Sequence, residues 1–151
     1  MSLTLLCPAE ADTRALGRRL ASLLRAGDVV LLAVDLGSGK TVFASGIAEG
    51  LGVADPVVSP SFILARRYEG LMGLVHADLY RLGSSAEVDD LDLLEAAADG
   101  VLVVEWGEAA AGCFPEDHLL VRLEADESGA RTVTLVRFGS WRERPLEEVA
   151  G

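Results

Sequence analysis

Apolar residues fall into two periods along this chain, and the alternation between them predicts an α/β architecture. Ser2 to Cys7 suits a short first strand. Pro8-Ala9-Glu10 opens a helix with Leu16, Leu20, Leu23 and Leu24 on one face, Arg18, Arg19 and Arg25 off it, and Gly27 as its stop. Val29 to Val34 is an unbroken apolar run, the pattern of a strand buried on both sides. After Asp35 to Thr41 a second helix runs to about Leu51 and is closed by Gly52.

Strand signals crowd the middle. Phe62 to Tyr68 and Gly73 to Leu79 flank Glu69-Gly70 and predict an antiparallel hairpin. Ser84 or Ser85 caps a Leu- and Ala-rich helix that runs to Ala98 and ends at Asp99-Gly100. Val101 to Val104 is another buried strand, leading into Glu105-Trp106. Leu119 to Leu123 and Thr132 to Phe138 form a closing hairpin around Asp126 to Gly129. The result is one α/β domain over residues 1–151, with a mixed, partly antiparallel sheet flanked by helices. Its core is expected over about 2–138, with 139–151 as a tail.

Composition narrows the function. With 24 acidic residues against 13 basic, the formal charge is −11. Direct grip on a phosphate backbone needs a basic surface, so any nucleic acid is expected to be held by a partner. Cys7 and Cys113 match neither metal spacing nor a disulfide framework, and read as reduced, buried thiols. No signal peptide and no membrane-length apolar run is apparent, so the expected location is the cytoplasm.

Asp35-Leu36-Gly37-Ser38-Gly39-Lys40-Thr41 lies between a strand and a helix, which is the P-loop arrangement. Gly37 and Gly39 let backbone N–H groups turn inward around phosphates, Lys40 supplies a cation, and the Thr41 hydroxyl can ligate magnesium. The positive end of the following helix faces the same anion. The full pattern has glycine where Val34 stands. That position is at the strand exit, away from the phosphates, so the cradle is expected to be kept. A P-loop needs an acid at a neighbouring strand end, and Asp78 and Glu105 both qualify. His76 reads as structural, and Ser59-Pro60-Ser61 as a turn that a γ-phosphate sensor would also fit.

Together these segments resemble the TsaE (YjeE-type) ATPases of bacterial tRNA threonylcarbamoyladenosine biosynthesis. The resemblance rests on Asp35 to Thr41, Ser59-Pro60-Ser61-Phe62, His76-Ala77-Asp78-Leu79-Tyr80-Arg81-Leu82 and Glu105-Trp106, with an early Thr13 and a Gly129-Ala130-Arg131 turn. It implies a P-loop NTPase-like fold in which Gly37, Ser38, Gly39, Lys40, Thr41 and Val42 bind ATP phosphates. Thr41 and Glu105 would hold Mg2+, Asp78 would be a further metal-site or catalytic carboxylate, and Thr13 and Arg131 would lie near the nucleotide. It also implies two partners of the actin-like ATPase/glycoprotease type, which carry out the transfer to tRNA while ATP hydrolysis supports their turnover. Ser61 stands where the family usually has Thr, and Gly107 where it tends to have Pro.

Hydrolysis would use Lys40 and the loop amides to neutralise phosphate charge, with Asp78 or Glu105 positioning water. The chain has no obvious arginine finger beyond Arg81, so slow activity that rises in the complex is expected. Two other readings share the P-loop. A small-molecule kinase needs an arginine-rich lid, which the scattered basic residues do not form. A nucleotide-dependent adaptor needs the same carboxylates without hydrolysis. The absence of an Asn-Lys-x-Asp motif favours adenine over guanine.

Overall fold

The structure is a computed structural model and describes residues 2–34, 40–57, 65–79, 92–105, 112 and 114–150, with only the backbone of Val34 and Lys40. Its strands are β1 (Ser2–Cys7), β2 (Val29–Val34), β3 (Ala65–Tyr68), β4 (Gly73–Asp78), β5 (Gly100–Glu105), β6 (Leu119–Ala125) and β7 (Arg131–Arg137). They form one sheet in the order β1-β7-β6-β2-β5-β4-β3. β2 lies at the centre and runs parallel to β5 and β6, and β5 runs parallel to β4. The flanks are antiparallel, through β3–β4 on one side and β6–β7–β1 on the other. The mixed sheet expected from the sequence is therefore present, including both hairpins. Of the helix expected from Ser84 or Ser85 to Ala98, Leu93–Ala96 is described; residues 80–91 lie outside the described set.

Two helices, α1 (Glu10–Ala21) and α2 (Lys40–Gly50), cover one face. Their apolar sides pack with Leu16, Leu20, Phe43 and Ile47 onto Val30, Leu32, Val101 and Val103. The helices touch at glycines. A Cβ on Gly17 would meet the Phe43 carbonyl oxygen, one on Gly46 the Arg14 carbonyl, and one on Gly50 the Ala21 side chain and Arg18 carbonyl. Contacts advance together along both helices, so α1 and α2 run in the same direction and start at the same end of the sheet. Gly52, at φ +78, ends α2. Val53 N–H donates to the Ala48 carbonyl and Gly52 N–H to Glu49, a Schellman closure.

The structure departs from the sequence reading at two places. α1 ends at Ala21 rather than at Gly27. The Ser22 hydroxyl donates to the Arg19 carbonyl, and the Asp28 carboxylate accepts the Arg25 N–H at 2.6 Å, so residues 25–28 form a separate turn. The expected tail after 138 is part of the core. Two 3₁₀ helices, Gly139–Glu143 and Leu146–Ala150, bury Trp141, Leu146 and Val149 in the cluster beneath α1. Arg19 Nε donates to the Val149 carbonyl at 2.6 Å, which ties this segment to α1.

Among the described residues no helix is long and apolar enough to cross a membrane.

Candidate functional site

β4 and β5 run side by side, and Asp78 stands opposite Glu105 where both strands end. The Leu79 N–H donates to the Glu105 carbonyl at 3.2 Å, so the backbone ladder holds right up to the two carboxylates. Side chains alternate along a strand. Leu74, His76 and Asp78 therefore share a face with Val101, Val103 and Glu105, and the apolar members of that set are core beneath α1 and α2. At the ends of β4 and β5 this face changes from hydrocarbon to His76, Asp78 and Glu105.

All three side chains are withdrawn from water: His76 and Glu105 are 0% exposed and Asp78 5%. A carboxylate in that position is costly to ionise unless charge or hydrogen bonds answer it. His76 Nε2 lies 3.0 Å from Glu105 Oε1. The distance is that of an ion pair, yet the angle is poor, and neither ring nitrogen makes an aligned hydrogen bond among the described residues. A small rotation of either group changes the angle without separating them. Sequence reasoning weighed a site role for His76 against a structural one and favoured the structural; the structure places it two residues before Asp78 on one strand, beside Glu105.

Glu105 is also level with Leu32 on central strand β2. Two residues further, β2 ends at Val34, and α2 begins at Lys40. Thr41 and Val42 are half-buried in its first turn, which holds no acidic residue to neutralise the helix's positive end. Thr41 and Val42, at the start of α2, and Asp78 and Glu105, at the ends of β4 and β5, therefore all lie towards the carboxyl ends of the parallel strands. Gly37, Ser38, Gly39 and the Lys40 side chain lie outside the described residues, as do Ser59 to Ser61, Arg81, Trp106, Gly107 and Cys113.

Thr13 and Arg131 flank the same edge from the other side. Val34 is level with Leu123, Leu123 with Val133, and Val133 with Leu5. Cys7 and Arg131, which pair across β1 and β7, thus stand two residues beyond that level, towards the same edge. Thr13, in α1, is fully buried, and its hydroxyl has no aligned partner among the described residues. It sits beside the Cys7 thiol, whose pKa burial pushes up and the Thr13 hydroxyl pulls down by less. By strand spacing, Glu105 is one strand from β2 and Arg131 is two, roughly 10 Å away.

Among the described residues, no three His, Cys, Asp or Glu side chains close on a common point. A carboxylate pair such as Asp78 and Glu105 could serve magnesium, which takes one or two protein carboxylates and draws its other oxygens from water and substrate phosphates.

A parallel centre flanked by antiparallel strands and helices defines the mixed α/β class, in which ligand sites commonly lie at the carboxyl side of the sheet. Within that class the comparisons with known proteins agree. The family model for threonylcarbamoyl adenosine biosynthesis protein TsaE matches residues 7–133. The tRNA threonylcarbamoyladenosine biosynthesis protein TsaE of Streptomyces coelicolor is 46% identical over 149 residues, 91% of this chain and 99% of its own. The Bacillus subtilis protein of that name is 35% identical over 141 residues, covering 92% and 88%. A crystal structure of Bacillus subtilis YdiB superposes with a TM-score of 0.82 at 28% identity, over 99% of this chain and 95% of that one. The chain belongs to the TsaE family of threonylcarbamoyladenosine biosynthesis proteins.

Proposed function

We propose that this protein is the magnesium-dependent ATPase subunit of the machinery that makes threonylcarbamoyladenosine in bacterial tRNA. The observation that carries the reading is the buried pair of strand-end carboxylates, Glu105 and Asp78, beside the start of α2. The sequence between β2 and α2, Gly37-Ser38-Gly39-Lys40-Thr41, has the residue types a phosphate cradle needs.

Bound magnesium–ATP supplies the transferable phosphoryl group and a cation to spread its charge. The chain's own residues bind and orient it. Backbone N–H groups of Gly37, Ser38 and Gly39 would donate to phosphate oxygens, with Thr41 and Val42 continuing that contact in the first turn of α2. Lys40 neutralises charge on the outer phosphates. Thr41 and Glu105 would hold the metal, and Asp78 would position the attacking water. Thr13 and Arg131 contact the nucleotide from the far side of β2. Burial of Glu105 and Asp78 strengthens their field at the metal, because little water screens them.

The formal charge of −11 argues against a direct grip on tRNA. Two partner proteins of the actin-like ATPase/glycoprotease type would hold the tRNA and perform the transfer, in the cytoplasm. Hydrolysis in this subunit would support their repeated turnover.

Two variants test the reading. Lys40→Ala is expected to lose ATP binding. Glu105→Gln is expected to keep ATP binding but release phosphate about 100-fold more slowly, the loss typical when one transition-state electrostatic contact is removed. A Glu105→Gln protein that sustains many rounds of tRNA modification with its partners would make the protein a nucleotide-dependent adaptor instead.

A further inference from the structure

Two buried histidines in this fold are held in different ways. His118 Nδ1 lies 2.8 Å from the Pro115 carbonyl oxygen, and its ring stacks on Phe138 at 4.6 Å. That is a histidine satisfied by its surroundings. His76 is more deeply buried, has Val103 and Arg66 as its neighbours in register, and has no aligned hydrogen bond at either nitrogen among the described residues. What it does have is the Glu105 carboxylate at 3.0 Å. Buried polar groups left unsatisfied are rare and call for a reason in chemistry or in a missing partner.

We infer that His76 is a positioning residue that sets the orientation of the Glu105 carboxylate, an inference resting on the reading of Glu105 as a magnesium ligand. The strand fixes only the Glu105 backbone. Its side chain has three further rotations, and the imidazole 3.0 Å from Oε1 is a hydrogen-bonding group able to select among them. Its ring is planar, short and set in the sheet's own register, so Nε2 is a fixed point against which Oε1 can rest. Poor alignment in the free protein suits this role, because hydrogen bonds at reactive sites often tighten only once the ligand is in place. Partners behind a metal ligand commonly hold it in this way.

The test uses the full-length chain with ATP and Mn2+ in place of Mg2+, and reads metal affinity by electron paramagnetic resonance. His76→Ala is expected to weaken Mn2+ binding about 10–100-fold, the usual consequence of losing such a partner. His76→Gln, whose amide nitrogen can reach the same point, is expected to recover most of that loss. Wild-type affinity in His76→Ala overturns the inference, and so does a Gln variant as weak as Ala. Ring ¹⁵N shifts of His76 in the unsubstituted protein guard against a variant that does not fold. A proton on Nε2 whose signal moves in Glu105→Gln supports the role, and a signal indifferent to Glu105 overturns it. If Glu105→Gln, with ATP bound, holds Mn2+ as tightly as the wild type does, the assignment of Glu105 to the metal fails, an outcome distinct from the failure of His76 alone.

Discussion

Asp28–Arg144 and His76–Glu105 are buried pairs of ionisable side chains at opposite ends of the same parallel strands, and they are built on different terms. Arg144 Nη1 donates to Asp28 Oδ2 at 2.5 Å and to the Leu23 carbonyl at 3.2 Å. Nη2 donates to Asp28 Oδ1 at 2.8 Å and to the Ser140 hydroxyl at 3.2 Å, while the guanidinium lies 4.1 Å over the Trp141 ring. Asp28 in turn takes the Arg25 N–H. The pair is bidentate and stacked, the geometry in which arginine makes strong, specific contacts. His76 and Glu105 are more deeply buried, and neither His76 nitrogen makes an aligned hydrogen bond among the described residues. The difference separates a clamp that holds the chain together from a pair set at the edge where the candidate site lies.

The largest expected effect breaks the clamp. Arg144→Ala leaves the Asp28 carboxylate buried without its counter-charge and lets the 139–150 segment off α1. Unfolding in urea should show a loss of about 3–5 kcal/mol. Glu105→Gln should behave in the opposite way, with stability unchanged or raised by up to about 1 kcal/mol, because sites built for chemistry are commonly held below their stability optimum. If both variants lose comparable stability, the two pairs are alike and the contrast is lost.

A smaller effect tests whether the two ends are joined through the helices. Gly46 faces the Arg14 carbonyl with no room for a Cβ, and the obstructing atoms are backbone, which cannot rotate aside. Gly46→Ala should push α1 from α2 and lower stability by about 1–3 kcal/mol. Because α2 starts at the carboxylate edge, ATP affinity should fall as well. A calorimetric titration alongside the urea melt reads both.

Much of this arrangement was legible in the sequence, for reasons that also explain what was not. Val29–Val34 and Gly100–Glu105 are apolar on both faces because both strands lie inside the sheet, and such runs announce themselves without an alignment. Asp78 and Glu105 stood out as acids ending apolar strands. Their pairing opposite one another depends on the register of β4 against β5, which joins residues 27 apart and leaves no mark in local pattern. The contact of His76 with Glu105 follows from that register and was hidden with it. The 139–150 segment escaped for another reason. Its buried residues Trp141, Leu146 and Val149 sit in short 3₁₀ turns among charged neighbours, so neither the helical nor the strand period appears.

The smallest expected effect concerns Thr13, a third buried polar group that falls between the clamp and the site. Its hydroxyl is fully buried, with the Cys7 thiol beside it and no aligned partner among the described residues. Thr13→Val keeps the shape and removes the hydroxyl. If that hydroxyl faces the nucleotide, removing an unsatisfied polar group changes stability by less than about 1 kcal/mol and lowers ATP affinity severalfold. If instead it serves the thiol, stability falls by about 0.5–1.5 kcal/mol, the worth of one ordinary hydrogen bond, and ATP affinity is unmoved. Paired urea melts and ATP titrations of the same preparation separate the two, and we expect the first result. Thr13 starts the helix that packs along α2, and its level on the sheet is that of the edge where Glu105 and Asp78 stand.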